Sequence, residues 1–312
     1  MLLREEERVE NNQNDNPIQV NQQQPIEVIR NFSFTNIQPL AKLTLLKRLN
    51  LSGNYLSKVS CLKRLTLLID LNISNNQITN IKFLSGLTKL KRLSFPRNNI
   101  EDIRYLSTLE NLVHLEGNDN EIKNIDPIIN LQKLRELLLD NNQIFELGEI
   151  NKLQDLVNLS LNQNLIENVK NTLFFTGNEI YFKKLRRIRI THNVIKDLRN
   201  IYIPENVEYF NFSRNKINML SIANVNKLSK LKVLKLNQNS LTKLKYFEIL
   251  TIIHSIDLNQ NHLTHFSFRT RENQDNLIFL LLHENELSET VEDYMNISPN
   301  VKIVYLSSWC SR

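Results

Sequence analysis

The residues best spaced for chemistry are His262 and His265, three positions apart, with His283 farther along the chain. Imidazoles so placed could ligate a transition metal. No Cys or close carboxylate pair completes a ligand set, so they read as surface histidines. Glu136 and Asp140 fall on one face of an extended segment. A general acid–base dyad built from them would need a pocket, and the scattered carboxylates of this chain read instead as solvated charges. No P-loop, GxGxxG, GxSxG or HExxH pattern occurs, and five glycines leave little from which to build a phosphate cradle. No catalytic residue, cofactor or metal is expected, and the chain reads as a non-enzyme.

The elements that position these residues follow from composition and repetition. The 312 residues are 41% hydrophobic, enough for a long core, with a formal charge of +6 and a pI near 9.2. That mildly basic balance does not by itself indicate nucleic acid. Cys61 and Cys310 stand at opposite ends and cannot frame a disulfide scaffold, which points to a reducing compartment. The start, MLLREEERVENN, lacks the apolar stretch of a signal peptide, and no window has the apolar length of a membrane span. Glycosylation acceptor patterns at Asn50, Asn72, Asn158 and Asn211 lie mid-strand on the face assigned below to binding, where glycans would obstruct it. A cytoplasmic protein is expected, the nucleus being a second compartment open to it.

Residues 1–23 are polar and read as a disordered tail. From residue 24 to 312 the chain repeats as a single domain. Segments such as LKRLNLSGNYL, LRELLLDNNQI and LKVLKLNQNSL match LxxLxLxxNxL eleven times in one register. The signature Asn falls at 54, 76, 98, 120, 142, 164, 193, 215, 239, 261 and 285, so the first steps are of 22 residues and the later ones 29, 22, 24, 22 and 24. The LxL alternation predicts a short strand with its leucines inward. The Asn predicts an amide ladder that satisfies backbone groups buried by the turn. Beyond it, Ile100, Ile103, Leu106, Leu109 and Leu112 recur every third residue, the period of a 3₁₀ turn. The same register carries Phe32 in a degenerate first repeat over 24–45 and Trp309 in a modified last repeat over 297–312. Both rings are expected to cover the ends. The long step inserts residues within KNTLFFTGNEIYFKKL, expected to form an enlarged convex helix whose Phe174, Phe175, Tyr181 and Phe182 join the core.

The 22-residue unit, with Ile three residues after the post-Asn aliphatic, resembles the short-repeat group of leucine-rich-repeat proteins. That group includes phosphatase-regulatory proteins of nucleus and cytoplasm and the bacterial internalins. The resemblance covers residues 24–309. It implies an α/β right-handed solenoid, a horseshoe with a concave parallel β-sheet and short 3₁₀ or helical returns on the convex side, binding a ligand on the concave face. It also implies a protein partner such as a phosphatase or a signalling or cytoskeletal protein. The chain departs from internalins in lacking their secretion signal. It departs from the phosphatase-regulatory members in ending at VKIVYLSSWCSR, without a Leu-Pro cap, and in lacking an acidic and aromatic column.

In this frame the outward residues flank the second leucine, in one column from Arg48 to Ile303 and another from Asn50 to Tyr305. Three zones stand out. Glu116, Glu136 and Asp140 surround Leu138 as an acidic zone. Arg187, Arg189, Tyr209 and Lys235 form a basic zone, and Phe279, Leu281, Ile303 and Tyr305 an apolar one. The leading expectation is a protein-binding scaffold, adaptor or regulatory subunit. The alternative is polyanion or nucleic-acid binding through Arg187, Arg189 and Lys235.

Overall fold

The computed structural model describes residues 26–31, 33–170, 172–173, 182–244, 253–264, 277, 279–287 and 302–303. Within them the LxL segments form strands three residues long: β1 (Ile26–Val28), β2 (Arg48–Asn50), β3 (Asp70–Asn72), β4 (Arg92–Ser94), β5 (His114–Glu116), β6 (Glu136–Leu138), β7 (Asn158–Ser160) and β8 (Arg187–Arg189). After β9 (Asp197–Ile201) come β10 (Tyr209–Asn211), β11 (Met219–Ile222), β12 (Val233–Lys235), β13 (Ser255–Asp257), β14 (Phe279–Leu281) and β15 (Lys302–Ile303). All but β9 and β11 join one parallel sheet in chain order, thirteen strands wide among the described residues.

From β2 to β14 each strand of this sheet places its central residue in the core, as Leu137, Leu159 and Phe210 show, all fully buried. The returns carry the period of three: Ile100, Ile103, Leu106, Leu109 and Leu112 are buried, and Arg104–Leu106 is a 3₁₀ turn. Returns in the first half of the chain are of this kind, and the described residues contain no α-helix.

The signature asparagines bind as the turn demands. Asn142 Nδ2 donates to the carbonyls of Gly117 (3.0 Å), Leu139 (3.2 Å) and Asp140 (3.2 Å), while its Oδ1 accepts the Ile122 amide at 3.0 Å. Asn54 repeats this at the first described coil, donating to Ile29 O at 2.8 Å and accepting from Phe34 N at 3.1 Å. The degenerate first repeat thus closes the ladder, although Phe32 and Trp309 lie outside the described residues. The residue before each ladder Asn adopts a left-handed conformation, at Gly53, Asn75, Arg97, Asp119 and onward to Glu284. Only Gly53 suits that region freely.

Three features depart from the repeat. The LVHLEGNDNEI coil has Gly117 where its neighbours carry the inward Phe95 and Leu139, and the fully buried Phe95 ring fills the space. A Cβ on Gly117 would lie 2.6 Å from Phe95 Cε2 and 3.0 Å from Leu139 Cδ2. Gly117→Ala is therefore expected to destabilise by about 1–3 kcal/mol through overpacking. The loss should shrink in a Phe95→Leu background, which denaturant titration of the single and double variants would measure.

Second, the returns after β8 and β10 are extended rather than 3₁₀. There β9 and β11 pair in parallel as a second small sheet, which a bridge from Leu220 to Leu244 continues. Buried Ile195, Leu198 and Ile201 keep the spacing of three, and Ile203, also buried, follows after two. Asp197, at the start of β9, accepts Arg199 Nη2 at 2.8 Å and Lys170 Nζ at 2.7 Å. The Arg199 guanidinium, aided by the Lys170 ammonium, holds its carboxyl far below the ordinary 3.8 against the opposing effect of burial. A folded pKa below the unfolded one gives stability that is complete above the unfolded value and lost as pH falls through the folded one. Asp197→Asn should accordingly lower the melting temperature at neutral pH. The gap to the parent should close only in strongly acid solution, which melts across pH would show.

Third, β15 pairs Lys302 with Phe279 and Ile303 with Leu280, so its register is one residue from the expected one. By that register Ile303 is paired with Leu280 rather than with Phe279. Of the aromatic insertion, Phe182 is fully buried. Phe174, Phe175 and Tyr181 lie outside the described residues, as does the proposed convex helix.

Candidate binding face

The outward columns fall where the alternation requires. On β2 to β14 the first column runs Arg48, Asp70, Arg92, His114, Glu136, Asn158, Arg187, Tyr209, Val233, Ser255 and Phe279, each exposed or half-buried. In the second column Glu116, Leu138, Arg189, Lys235 and Leu281 are half-buried and Ser160 is buried. The parallel register sets them side by side, Arg187 against Tyr209 and Arg189 against Asn211.

The acidic zone is less free than its sequence suggests. Glu136 Oε2 lies 2.6 Å from His114 Nδ1, and Glu116 Oε2 accepts the Ser94 hydroxyl at 2.7 Å. Asp140 belongs to a second polar ladder, two residues before the signature Asn. Its Oδ1 accepts the Asn162 amide at 2.7 Å, and its Oδ2 accepts Ser160 Oγ and Asn162 Nδ2, each at 3.0 Å. Asn118 and Asn162 continue this ladder by accepting the Asp140 and Thr191 amides. Asp140 therefore serves the turn, and Glu116 and Glu136 remain as the acidic zone, beside Leu138.

The basic zone is assembled as expected, on the adjacent strands β8, β10 and β12. The Arg189 guanidinium sits 5.3 Å from the centre of the Tyr209 ring, a cation–π contact that orients it. The Tyr209 hydroxyl accepts Asn211 Nδ2 at 3.3 Å. Neither Arg187 nor Arg189 has a carboxylate within ion-pair distance among the described residues. Beyond them, burial pushes the Asp257 carboxyl up, opposed by the Asn259 amide and the charges of Lys235 and His283. In the apolar zone Phe279 is exposed and Leu281 half-buried, while Tyr305 lies outside the described residues.

Sequence reasoning assigned nothing to the N-terminal strands. There β2 to β5 border a shallow recess of about 410 Å³ lined by Arg48, Asp70, Arg92, His114 and Glu116 among others. Arg92 Nε lies 3.9 Å from Asp70 Oδ2 across it. The alternation of sign along Arg48, Asp70 and Arg92 is visible in the repeat columns and could have marked it. Of the histidines considered for metal, exposed His262 pairs with Glu286 on the next coil at 2.8 Å, and His265 lies outside the described residues.

Solved structures share this architecture. An internalin, InlF of Listeria monocytogenes, superposes with a TM-score of 0.70 at 25% identity, over 92% of this chain and 87% of that one. The chain is a leucine-rich-repeat protein. The functional domain of the L. monocytogenes internalin InlJ matches with a TM-score of 0.73 at 21% identity, over 92% of this chain and 64% of its own. The leucine-rich-repeat domain of APL1B gives 0.70 at 16%, over 92% and 90%. These more distant likenesses speak to the fold alone. Neither a protein-family model nor a curated protein matches the sequence. Among the described residues of this leucine-rich-repeat chain, no helix is long and apolar enough to cross a membrane.

Proposed function

We propose that this leucine-rich-repeat protein is an intracellular scaffold or adaptor that holds a protein partner against its concave sheet and catalyses no reaction. The observation that carries the reading is the continuous row of outward side chains on eleven adjacent parallel strands of the large sheet, β2 to β14. At about 4.8 Å per strand the row is about 48 Å long, ample for a protein interface. A few Arg and aromatic anchors within such a surface supply most of the affinity. The zones at Glu116, Glu136 and Leu138, at Arg187, Arg189, Tyr209 and Lys235, and at Phe279, Leu281 and Tyr305 offer such anchors beside the N-terminal recess.

Affinity capture from lysate tests this when the parent is run beside two concave variants. One replaces Arg187, Arg189 and Tyr209 with Ala, the other Arg48 and Arg92. A convex variant, Ser85→Arg, serves as control. The expected result is a protein recovered with the parent and the convex control and lost with at least one concave variant. Recovery unaffected by both concave variants contradicts the reading. A second reading, polyanion binding through Arg187, Arg189 and Lys235, draws on the absence of ion pairs at the two arginines among the described residues. A receptor of this fold has been solved in complex with single-stranded RNA, TLR13 at 21% identity, a TM-score of 0.65, and 88% of this chain against 45% of that one. A shift assay at low salt decides it.

A further inference from the structure

We infer that Arg187 and Arg189 receive the carboxylates of an extended acidic segment of the protein partner, with the Tyr209 ring as the floor between them. This rests on the concave face being a protein-binding surface. Elsewhere on the face opposite or complementary groups meet: Arg92 lies 3.9 Å from Asp70, His114 lies 2.6 Å from Glu136, and Ser94 donates to Glu116 at 2.7 Å. Arg48, which makes no ion pair among the described residues, still has Asp70 as its in-register neighbour. At β8 the pattern stops. The in-register neighbours of Arg187 are Asn158 and Tyr209, and those of Arg189 are Ser160 and Asn211. All four are uncharged, so two guanidiniums stand on the face with no counterion among the described residues.

Their geometry favours carboxylates. The cation–π contact of Arg189 with the Tyr209 ring at 5.3 Å restricts the guanidinium, whose planar fork of donors matches a carboxylate. Arg187 and Arg189 are two residues apart on a strand, about 6.6 Å along its axis, the spacing of alternate side chains in any extended segment. A peptide with acidic residues at alternate positions can therefore offer one carboxylate to each.

The extent of the zone argues against nucleic acid. The positive charge of this zone spans β8 through β12, about 10 Å across the sheet. It is bounded by Glu136 two strands before β8 and by Asp257 on β13. A polynucleotide that continued past either border would bring phosphates to those carboxylates, while a short acidic segment would not.

The test uses the full chain and three fluorescent probes: a short peptide alternating Glu with Ser, its Gln–Ser counterpart, and an oligothymidylate. Anisotropy titrations are run at low salt and at about 0.15 M salt. The Glu peptide is expected to bind, more weakly at the higher salt, and the Gln peptide at least about tenfold less tightly. Arg187→Gln and Arg189→Gln should each weaken the Glu peptide by about tenfold. Arg64→Gln, exposed on the 3₁₀ turn Ser60–Arg64 away from the face, should leave it unchanged, with thermal melts confirming that all three variants are folded. Equal binding of the two peptides, or indifference to both arginine variants, overturns the inference. So does tighter, arginine-dependent binding of the oligothymidylate, which would assign the zone to nucleic acid. If the Glu peptide fails while the Arg187, Arg189 and Tyr209 variant still loses its captured protein, the acidic chemistry falls and the binding face stands. If capture is also indifferent to the concave variants, both fall.

Discussion

Leu159→Ala is expected to cost about 2–5 kcal/mol, whereas Arg189→Ala and Tyr209→Ala should each change stability by no more than about 1 kcal/mol. The three residues lie on neighbouring strands and differ in which way they face. Leu159, at the centre of β7, is fully buried, packed between Leu137 and Ile188 of the adjoining strands. A solenoid core is one continuous layer stack, so a cavity there loosens the coil on each side. Arg189 and Tyr209 lose mainly their mutual contact when either is cut to Ala. Denaturant titrations of the three variants check the pattern. Strong destabilisation by Arg189→Ala would mean that the strand faces are reversed.

Asn142→Ala should cost about 1–3 kcal/mol, and the neighbours show which group bears the loss. The three carbonyls that Asn142 serves keep other donors: Gly117 O still receives Asn120 Nδ2, Leu139 O receives Asn164 Nδ2, and Asp140 O receives the Asp119 amide. The Ile122 amide, whose acceptor in the ladder is Asn142 Oδ1, is left buried without one. Asn142→Asp should be worse than Ala at neutral pH. It keeps the acceptor for Ile122 but turns a buried negative oxygen toward three carbonyls. Melting temperatures should therefore rank parent, Ala, then Asp at neutral pH, with Asp gaining on Ala in acid as the carboxyl is protonated. Equal melting of Asn142→Ala and parent would show that the ladder does not carry the turn.

Much of this fold was legible because a repeat states each position many times over. The inward row, the ladder asparagines and the concave columns from β2 to β14 follow from one register, and so do the places of Arg187, Arg189 and Tyr209. What the sequence hid was compensation between coils. Gly117 looks like one more strand position until Phe95 is seen to occupy its space. Asp140 looks like a free carboxylate of the face, yet its oxygens are taken by Ser160 and Asn162 on the next coil. The left-handed residues before each ladder Asn escaped notice because Arg97, Gln163 and Glu284 carry none of the usual marks of that conformation. The ladder imposes the turn and the preceding residue complies. The β9 and β11 pairing was obscured by the same short apolar period, since Ile195 and Leu198 still fit a 3₁₀ return. The register of β15 was missed by carrying the preceding step of 24 residues one coil too far.

The central claim is that a protein partner sits in the concave face, and thiol protection tests it most directly. Cys61 is buried, its thiol pushed up by burial and hydrogen-bonded to Ile37 O at 3.5 Å, so it reacts slowly with maleimide. In a Cys310→Ser background, Val233→Cys places a probe on β12 beside Tyr209. Ser85→Cys places one on an exposed 3₁₀ turn of the convex side. Labelling rates are measured with and without a captured protein at saturation. Protection of the Val233→Cys thiol, with the Ser85→Cys thiol reacting as in the free protein, is the result the account predicts. Protection at the convex probe alone, or equal rates at Val233→Cys in both states, would contradict it.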